Sequence, residues 1–155
     1  MKRLILDDKE RINQWAWKLV GRETPFYPPS KFNAFGIEKD GEIIAGVIFD
    51  SFSNEARCSM HCAGIGKYWL TKQFLFTCFD YVFRVAKCKV VINTIAAKNE
   101  SSINFTKHIG FKEVCRIKDG DGDDDLVILV MHRDDCMYLF NDNRESNDVL
   151  QQKAA

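Results

Sequence analysis

The spacing of apolar residues near the start of the chain predicts a short strand followed by an amphipathic helix. Residues 3–5 have the pattern of a strand, and Asp7 or Asp8 is a suitable N-cap for the helix. We expect the helix to run to about Val20 and to end at Gly21. Its predicted apolar face consists of Ile12, Trp15, Ala16 and Leu19.

The next part of the chain predicts a loop and then an antiparallel meander. All three prolines lie within residues 22–32, so this stretch cannot be regular helix. It either shapes a substrate pocket or is a plain connection between the first helix and the next strand. Apolar and polar residues then follow a period of two, which predicts strands over residues 33–39, 42–52 and 56–63. The Asp40-Gly41 pair predicts a tight hairpin, and Ser53-Asn54 a second turn.

The second half of the chain predicts two helices and three strands. Residues 67–87 are apolar except for a narrow polar stripe, which predicts a helix buried on most of its circumference. The β-branched run at residues 88–97 predicts a strand covered on both faces. A helix capped by Asn99 and ended by Gly110 follows, and then two strands joined by the acidic tip at residues 119–125.

This order of elements predicts the α+β class. A central βαβ unit lies within a mixed, mostly antiparallel sheet of about six to seven strands, with helices on both faces. A chain of 155 residues is ordinarily one domain that buries about 70% of its unfolded surface. We expect residues 1–140 to form this domain and residues 141–155 to be a polar, flexible tail.

Composition and charge argue against several classes of function. Lys plus Arg and Asp plus Glu each number 22, so no net charge draws the whole molecule to nucleic acid or to an anionic membrane. No apolar run approaches the roughly 20 residues that cross a bilayer, and the chain turns acidic at residues 7–10, so we expect a cytoplasmic protein. The six cysteines are widely spaced, which favours free thiols over disulfides or a zinc site.

The strand–helix turn "GIGK", residues 64–67, is the strongest candidate for a ligand site. The first N–H groups of a helix have no helical partners and attract anions, and glycine lets a phosphate approach the backbone closely. Lys67 adds a positive charge. Taken alone, the two glycines favour a simple tight turn over a phosphate site, because the spacing is neither that of a Walker loop nor GxGxxG.

Two motifs resemble those of the GNAT superfamily of N-acetyltransferases. The stretch "HCAGIG", residues 61–66, is similar to the pyrophosphate loop Gln/Arg-x-x-Gly-x-Gly/Ala of that family. The stretch "NESSINFTKHIGF", residues 99–111, is similar to the family's Asn-x-x-Ala-x-x-x-Tyr-x-x-x-Gly-Phe helix. The resemblance covers residues 1–136 and is also seen with compact acetyltransferase-like proteins of bacteriophages. It implies a GNAT-like, acyl-CoA-binding domain.

The resemblance implies a role for each matched residue. Backbone amides of Ala63, Gly64, Ile65, Gly66 and Lys67 would hold the pyrophosphate of acetyl-CoA, the co-substrate. Cys62 and Ala63 would pair with the pantetheine in the manner of a strand, and an amide there would polarise the thioester carbonyl. Asn99 and Ser102 would contact the cofactor arm.

The chain departs from the family pattern at two catalytic positions. Thr106 stands where many members have the tyrosine that protonates the leaving thiolate, and a threonine hydroxyl is a far poorer acid. His61 occupies the first position of the loop, and an imidazole is suited to accept the proton of an amine near neutral pH. A hydrogen-bonded structural histidine is the alternative. Glu55 and Asp50, near strand ends, could instead act through water or be solvated surface charges.

Metal binding is not expected. The acidic tip lacks the Gly and Glu that a calcium loop of the EF-hand type needs at residues 124 and 130. Strand alternation places Cys58 and Cys62 on one face of the sheet and His61 on the other, so the three side chains are not expected to bind one metal ion.

The favoured function is therefore transfer of an acetyl group from acetyl-CoA to a primary amine by direct attack. The acceptor would be a small molecule or a protein amine, and a homodimer fits the resemblance. One alternative is a non-catalytic protein of this fold that binds a partner, which Thr106 favours. Another is a phage-type enzyme that modifies nucleic acid, which the neutral net charge disfavours. A phage-encoded protein would act in the host cytoplasm.

Overall fold

We describe residues 1–20 and 31–139 of a computed structural model of the chain. The predicted helix stop at Gly21, most of the proline-containing loop and the predicted tail lie outside the described residues. Within them, no helix is both long enough and apolar enough to span a bilayer.

One mixed sheet of seven strands forms the frame of the structure, in the spatial order β1-β2-β3-β4-β5-β7-β6. Only the β4–β5 pair is parallel. The strands are β1 (Lys2–Ile5), β2 (Asn33–Lys39), β3 (Glu42–Ser53), β4 (Arg57–Gly64), β5 (Val90–Ala96), β6 (Lys112–Asp121) and β7 (Asp124–His132). The helices are α1 (Lys9–Leu19), α2 (Lys72–Asp80) with a π-helical continuation (Tyr81–Val85), α3 (Glu100–His108) and a 3₁₀ turn (Arg133–Asp135). The predicted α+β class, strand number and central βαβ unit are confirmed.

The first hairpin forms where the sequence predicts it. Asp40 and Gly41 have φ angles of 53° and 89°, as a two-residue turn between twisted strands requires. Helix α1 also lies where it is predicted, with Asp8 at the N-cap position but without a capping hydrogen bond from its side chain. The prediction that Leu19 lies on the buried face of α1 is wrong, because Leu19 is 44% exposed. Asn13 is buried instead, and its side-chain oxygen accepts a hydrogen bond from Trp17 Nε1 at 2.7 Å.

Helices pack on both faces of the sheet and define two hydrophobic clusters. Helix α1 covers one face, where Ile12 and Ala16 contact Ile48 and Ala63. Helices α2 and α3 cover the other face, which holds the larger cluster, including Phe74, Phe79 and Phe83. Strand β5 is buried on this second face only: Val91 and Ile95 are buried while Thr94 is exposed, so the prediction of cover on both faces is wrong.

The two parallel strands diverge soon after they begin. Strand β4 pairs with β5 only from Arg57 to Ser59, although β5 pairs with β7 along its whole length. In the part of the chain that the structure describes, the C-terminal half of β4 therefore lacks a neighbouring strand on its β5 side. Because the strands are parallel, Gly64 at the end of β4 and the α3 N-cap Asn99, just after β5, lie at the same edge of the sheet. This divergence positions the candidate site.

Candidate active site

The loop after β4 is longer than the sequence predicts. Strand β4 ends at Gly64, but α2 begins only at Lys72, with Thr71 as its N-cap. The Thr71 hydroxyl accepts a hydrogen bond from the Phe74 N–H group at 3.2 Å. The prediction of a helix from Lys67 is therefore wrong, and residues 63–67 do not form its first turn. Trp69 lies buried at 8% exposure in this loop, so its apolar side chain does not mark a helix.

The strand register decides which backbone groups face the opening between β4 and β5. The Ile65 N–H group donates to the Ile44 carbonyl at 2.8 Å, which continues the β3–β4 ladder. Because backbone groups alternate in direction along a strand, Ala63 also points toward β3, while Cys62 and Gly64 point toward the opening. Among the described residues, no strand accepts hydrogen bonds from those two or donates hydrogen bonds to them on the β5 side, although both are register partners of β3 residues. The sequence predicts that Cys62 and Ala63 pair with an extended ligand. The register instead makes the backbone groups of Cys62 and Gly64 available for that pairing.

Gly64 is in close contact with the buried indole of Trp69. A Cβ atom at residue 64 would lie 2.3 Å from Trp69 Cε2 and Nε1. The indole also contacts the aromatic rings of Phe105 on α3 and Phe74 on α2, with centroid distances of 5.6 and 6.3 Å. Trp69 therefore links the end of β4 to both helices, and this contact requires a glycine at residue 64.

Gly66 lies in open surroundings at the tip of the same loop. Its φ angle is +75°, and nothing lies within 4 Å of the position that its Cβ would take. Lys67 and Tyr68 beside it are exposed, and Lys2 donates from Nζ to the Tyr68 carbonyl at 2.5 Å. The loop therefore presents exposed backbone together with two lysines, an arrangement suited to an anion.

His61 faces α1 and is paired with a carboxylate. Its Nε2 lies 3.1 Å from Asp50 Oδ1 on the neighbouring strand β3. An ionised carboxylate only accepts hydrogen bonds, so Nε2 is the donor in this contact, and in the neutral form of the ring the lone pair then lies on Nδ1. The His61 side chain is 37% exposed and the Asp50 side chain 28%. This geometry provides an oriented imidazole that can accept a proton.

A small pocket lies beside this imidazole, between α1 and the sheet. It is a shallow depression open to solvent, since Val20, one of its lining residues, is 54% exposed. The Trp17 ring forms one wall, with its centroid 5.3 Å from that of His61. The lining residues are Ala16, Trp17, Val20, Ile48, His61, Cys62 and Ala63. Because Cys62 also borders the opening between β4 and β5, the pocket and the opening share a residue.

The other predicted site residues lie in different surroundings. Asn99 caps α3: its Oδ1 accepts from the Ser102 N–H group at 3.3 Å, so a ligand would meet the side-chain NH₂ group. Thr106 is only 2% exposed, which disfavours the proton-donor role. Glu55 lies in the β3–β4 turn, before the start of β4, whereas His61 lies in its C-terminal half. The structure does not bring Glu55 to the pocket.

Sequence reasoning missed two aromatic residues of the site. Trp17 lies one residue beyond the predicted apolar face of α1, and the sequence places Asn13, which can accept a hydrogen bond from the half-buried indole, four residues before it. Nothing in the sequence distinguishes Trp69 from the apolar residues of the helix that is predicted over residues 67–87. No group of three or more His, Cys, Asp or Glu side chains in the described part of the chain is placed to hold a metal.

The thiols provide a test of these burial assignments. Burial raises the pKa of Cys62 to about 12, and burial together with the Cys88 thiol raises the pKa of Cys58. Cys115 is exposed on β6. Because the thiolate is the reactive form, we expect iodoacetamide at neutral pH to modify Cys115 first, and the buried Cys58, Cys78, Cys88 and Cys136 only on unfolding. Peptide mass spectrometry over time measures this order, and early modification of Cys58 would contradict the structure.

No protein-family model and no curated protein matches the sequence. Solved structures do match. Mutant forms of the spermidine/spermine N-acetyltransferase of Vibrio cholerae align at 11% identity over 91% of this chain and 99% of theirs, with a TM-score of 0.70. A dodecameric spermidine N-acetyltransferase from the same organism aligns at 13% identity over 85% and 94%, with a TM-score of 0.65.

A putative acetyltransferase of Salmonella typhimurium, solved with its cofactor acetyl-CoA, is also similar. It aligns at 12% identity over 84% of this chain and 93% of its own, with a TM-score of 0.64. Identities this low show the fold alone. The chain therefore has the GNAT fold of these N-acetyltransferases, which is the fold that its two motifs predict.

Proposed function

We propose that the chain is an N-acetyltransferase that transfers an acetyl group from acetyl-CoA to a primary amine by direct attack. One observation carries the proposal: the unpaired side of β4, at Cys62 and Gly64, adjoins a pocket that contains the Asp50-paired His61. Acetyl transfer needs a place for an extended acyl donor beside a group that accepts the proton of the amine. The fold that the chain shares with known acetyltransferases supports the same reaction.

The residues at the edge of the sheet fit an acyl-CoA donor. The backbone groups of Cys62 and Gly64 point into the opening and would hydrogen-bond to the amide groups of a pantetheine arm. The exposed loop from Ile65 to Lys67 would receive the pyrophosphate, and the Asn99 side-chain NH₂ group and Ser102 would contact the arm. When bound, acetyl-CoA supplies the thioester carbon that the amine attacks.

His61 is the proposed proton acceptor. Its Nδ1 lone pair would take the proton that the amine loses as the new N–C bond forms and the C–S bond breaks. A backbone N–H group in the opening would stabilise the negative charge that develops on the carbonyl oxygen. The burial of Thr106 argues that water, rather than this hydroxyl, protonates the released thiolate.

Charge substitution at Gly66 tests the cofactor site. Asp and Asn both tolerate a positive φ, so Gly66→Asp and Gly66→Asn differ mainly in charge. We expect the Asp variant to weaken acetyl-CoA binding about tenfold by repelling the pyrophosphate, and the Asn variant to change it less than about threefold. Isothermal titration with acetyl-CoA and with CoA measures both. Equal losses in the two variants, or no binding to the folded wild type, would overturn the proposal.

The burial of Thr106 also favours a second candidate function. A protein of this fold that binds a partner without catalysis needs no proton donor. If this chain is such a protein, it will acetylate no amine in an activity assay.

For the first candidate we propose one acyl-CoA-binding domain over residues 1–140 and a cytoplasmic location. The acceptor would be a small-molecule or protein amine. An origin in a bacteriophage, a homodimeric state and nucleic acid as an acceptor stay predictions from the sequence.

A further inference from the structure

Strand β3 contains a bulge immediately after Asp50. Asp50 pairs with Ser59 and Ser53 pairs with Arg57, so β3 has one more residue than β4 between these pairs. The first residue of the bulge, Ser51, has a φ angle of +54°, in the left-handed region. Glycine is the usual residue in a bulge of this conformation, because a Cβ atom is disfavoured there. The backbone at Ser51 is therefore strained.

The bulge brings the Ser51 hydroxyl to the carboxylate of the residue before it. In a regular strand, the side chains of neighbouring residues point to opposite faces of the sheet. In the bulge, Ser51 Oγ instead lies 3.2 Å from Asp50 Oδ1 and donates a hydrogen bond to it. The same carboxylate oxygen accepts a hydrogen bond from His61 Nε2 at 3.1 Å. One oxygen of Asp50 is therefore bonded to both the hydroxyl and the imidazole.

The contact with Ser51 matters because Asp50 does not lie directly opposite His61. The register partner of His61 is Ile48, so the Asp50 carboxylate reaches the imidazole diagonally across the two strands. The Asp50 side chain is 28% exposed, and water therefore competes for its oxygens. A hydrogen bond from Ser51 restricts the rotation of the carboxylate, which lowers the entropy lost when it binds the imidazole. Glycine would adopt the same backbone with less strain but would supply no hydroxyl.

We propose that Ser51 is a positioning residue, whose strained backbone and hydroxyl together hold the Asp50 carboxylate against His61. It does not touch the reacting atoms and acts only through the Asp50–His61 pair. The inference rests on the proposed function, because it assigns Ser51 to the proton acceptor of that reaction. The left-handed serine thus lowers the stability of β3 at one residue and fixes the orientation of the imidazole.

Two substitutions at residue 51 test the role of the hydroxyl. Ser51→Ala and Ser51→Gly both remove it, so the ratio of the Nδ1–H form of His61 to its Nε2–H form should rise about twofold to fivefold, the usual effect of one exposed hydrogen bond. Nitrogen-15 NMR of histidine-labelled protein in alkaline buffer measures this ratio without any acetyl transfer, and His61→Ala assigns the signal. If the protein acetylates amines, kcat should fall by a similar factor with little change in KM.

The same two variants separate the hydroxyl from the backbone strain. Glycine relieves the left-handed strain and alanine does not, so only Ser51→Gly should raise the equilibrium constant for folding. We expect a rise of about twofold to fivefold, after allowance for the greater freedom of glycine in the unfolded chain, and urea unfolding measures it.

Lys87→Gly is the matched control for the relief of strain. Lys87 also has a positive φ angle, 59°, but it follows the helical segment that packs on the other face of the sheet. We expect Lys87→Gly to raise the equilibrium constant for folding in the same way and to leave the His61 ratio unchanged.

The outcomes distinguish this proposal from the proposed function. An unchanged His61 ratio in Ser51→Ala and Ser51→Gly, or an equal change in Lys87→Gly, would overturn the positioning role. A Ser51→Gly variant that is less stable than the wild type would show that the serine is not strained, and would overturn the proposal as well. A changed ratio in the residue 51 variants of a protein that acetylates no amine would support the positioning role while it rejects the proposed function.

Discussion

Replacement of His61 by alanine is expected to lower kcat for acetyl transfer by about two to four orders of magnitude, the usual contribution of a general base. The loss follows from the Nδ1 lone pair, which Asp50 leaves available by holding the proton on Nε2. Because the His61 side chain is 37% exposed, the variant should remain folded. Steady-state rates with a primary amine that the wild type acetylates, together with thermal unfolding, measure both effects.

Two controls distinguish a base from a structural histidine. Added imidazole should restore part of the rate of His61→Ala, which it would not do if the ring only filled space. Asp50→Asn keeps a side chain of the same shape but removes the charge that favours the Nε2–H form, so we expect kcat to fall about tenfold with little change in KM. An unchanged kcat in His61→Ala would reject the base role.

The strands of this fold were predictable because each signal is local. The short apolar runs of β2 and β3, the alternation in the first half of β4, and the turn at Asp40-Gly41 depend only on neighbours in sequence. The start of α2 was not predictable in the same way. Trp69 and Leu70 continue an apolar run, and only packing against Gly64 and Phe105 shows that Trp69 belongs to a buried loop.

The candidate site was predictable in position but not in detail. The glycine motif located the edge of the sheet, but the direction of each amide depends on the β3–β4 register and on the end of β4–β5 pairing after Ser59. The pocket depends on contact between Trp17 and His61, which lie on different elements. The pairing of His61 with Asp50 joins two candidate groups that the sequence could only name separately.

Substitution of Gly64 by alanine is expected to destabilise the fold by about 3 kcal/mol, at the upper end of the usual cost of overpacking. The new Cβ atom would lie 2.3 Å from the Trp69 indole, a rigid side chain that is only 8% exposed. Elsewhere in a strand, alanine in place of glycine ordinarily stabilises by reducing the flexibility of the unfolded chain. Urea unfolding, followed by circular dichroism so that the signal does not depend on tryptophan, measures the free energy of unfolding.

A double-mutant cycle with Trp69→Leu tests the cause. Removal of the indole leaves room for the alanine methyl group, so Gly64→Ala should cost less than about 0.5 kcal/mol in that background. The family resemblance alone gives the opposite expectation, since a glycine kept only for the approach of a phosphate would leave stability unchanged and weaken acetyl-CoA binding. Unchanged stability of Gly64→Ala, or equal costs in the two backgrounds, would therefore reject Trp69 as the reason for this glycine. A large cost that disappears with the indole would leave Gly66 as the glycine at which to study anion binding.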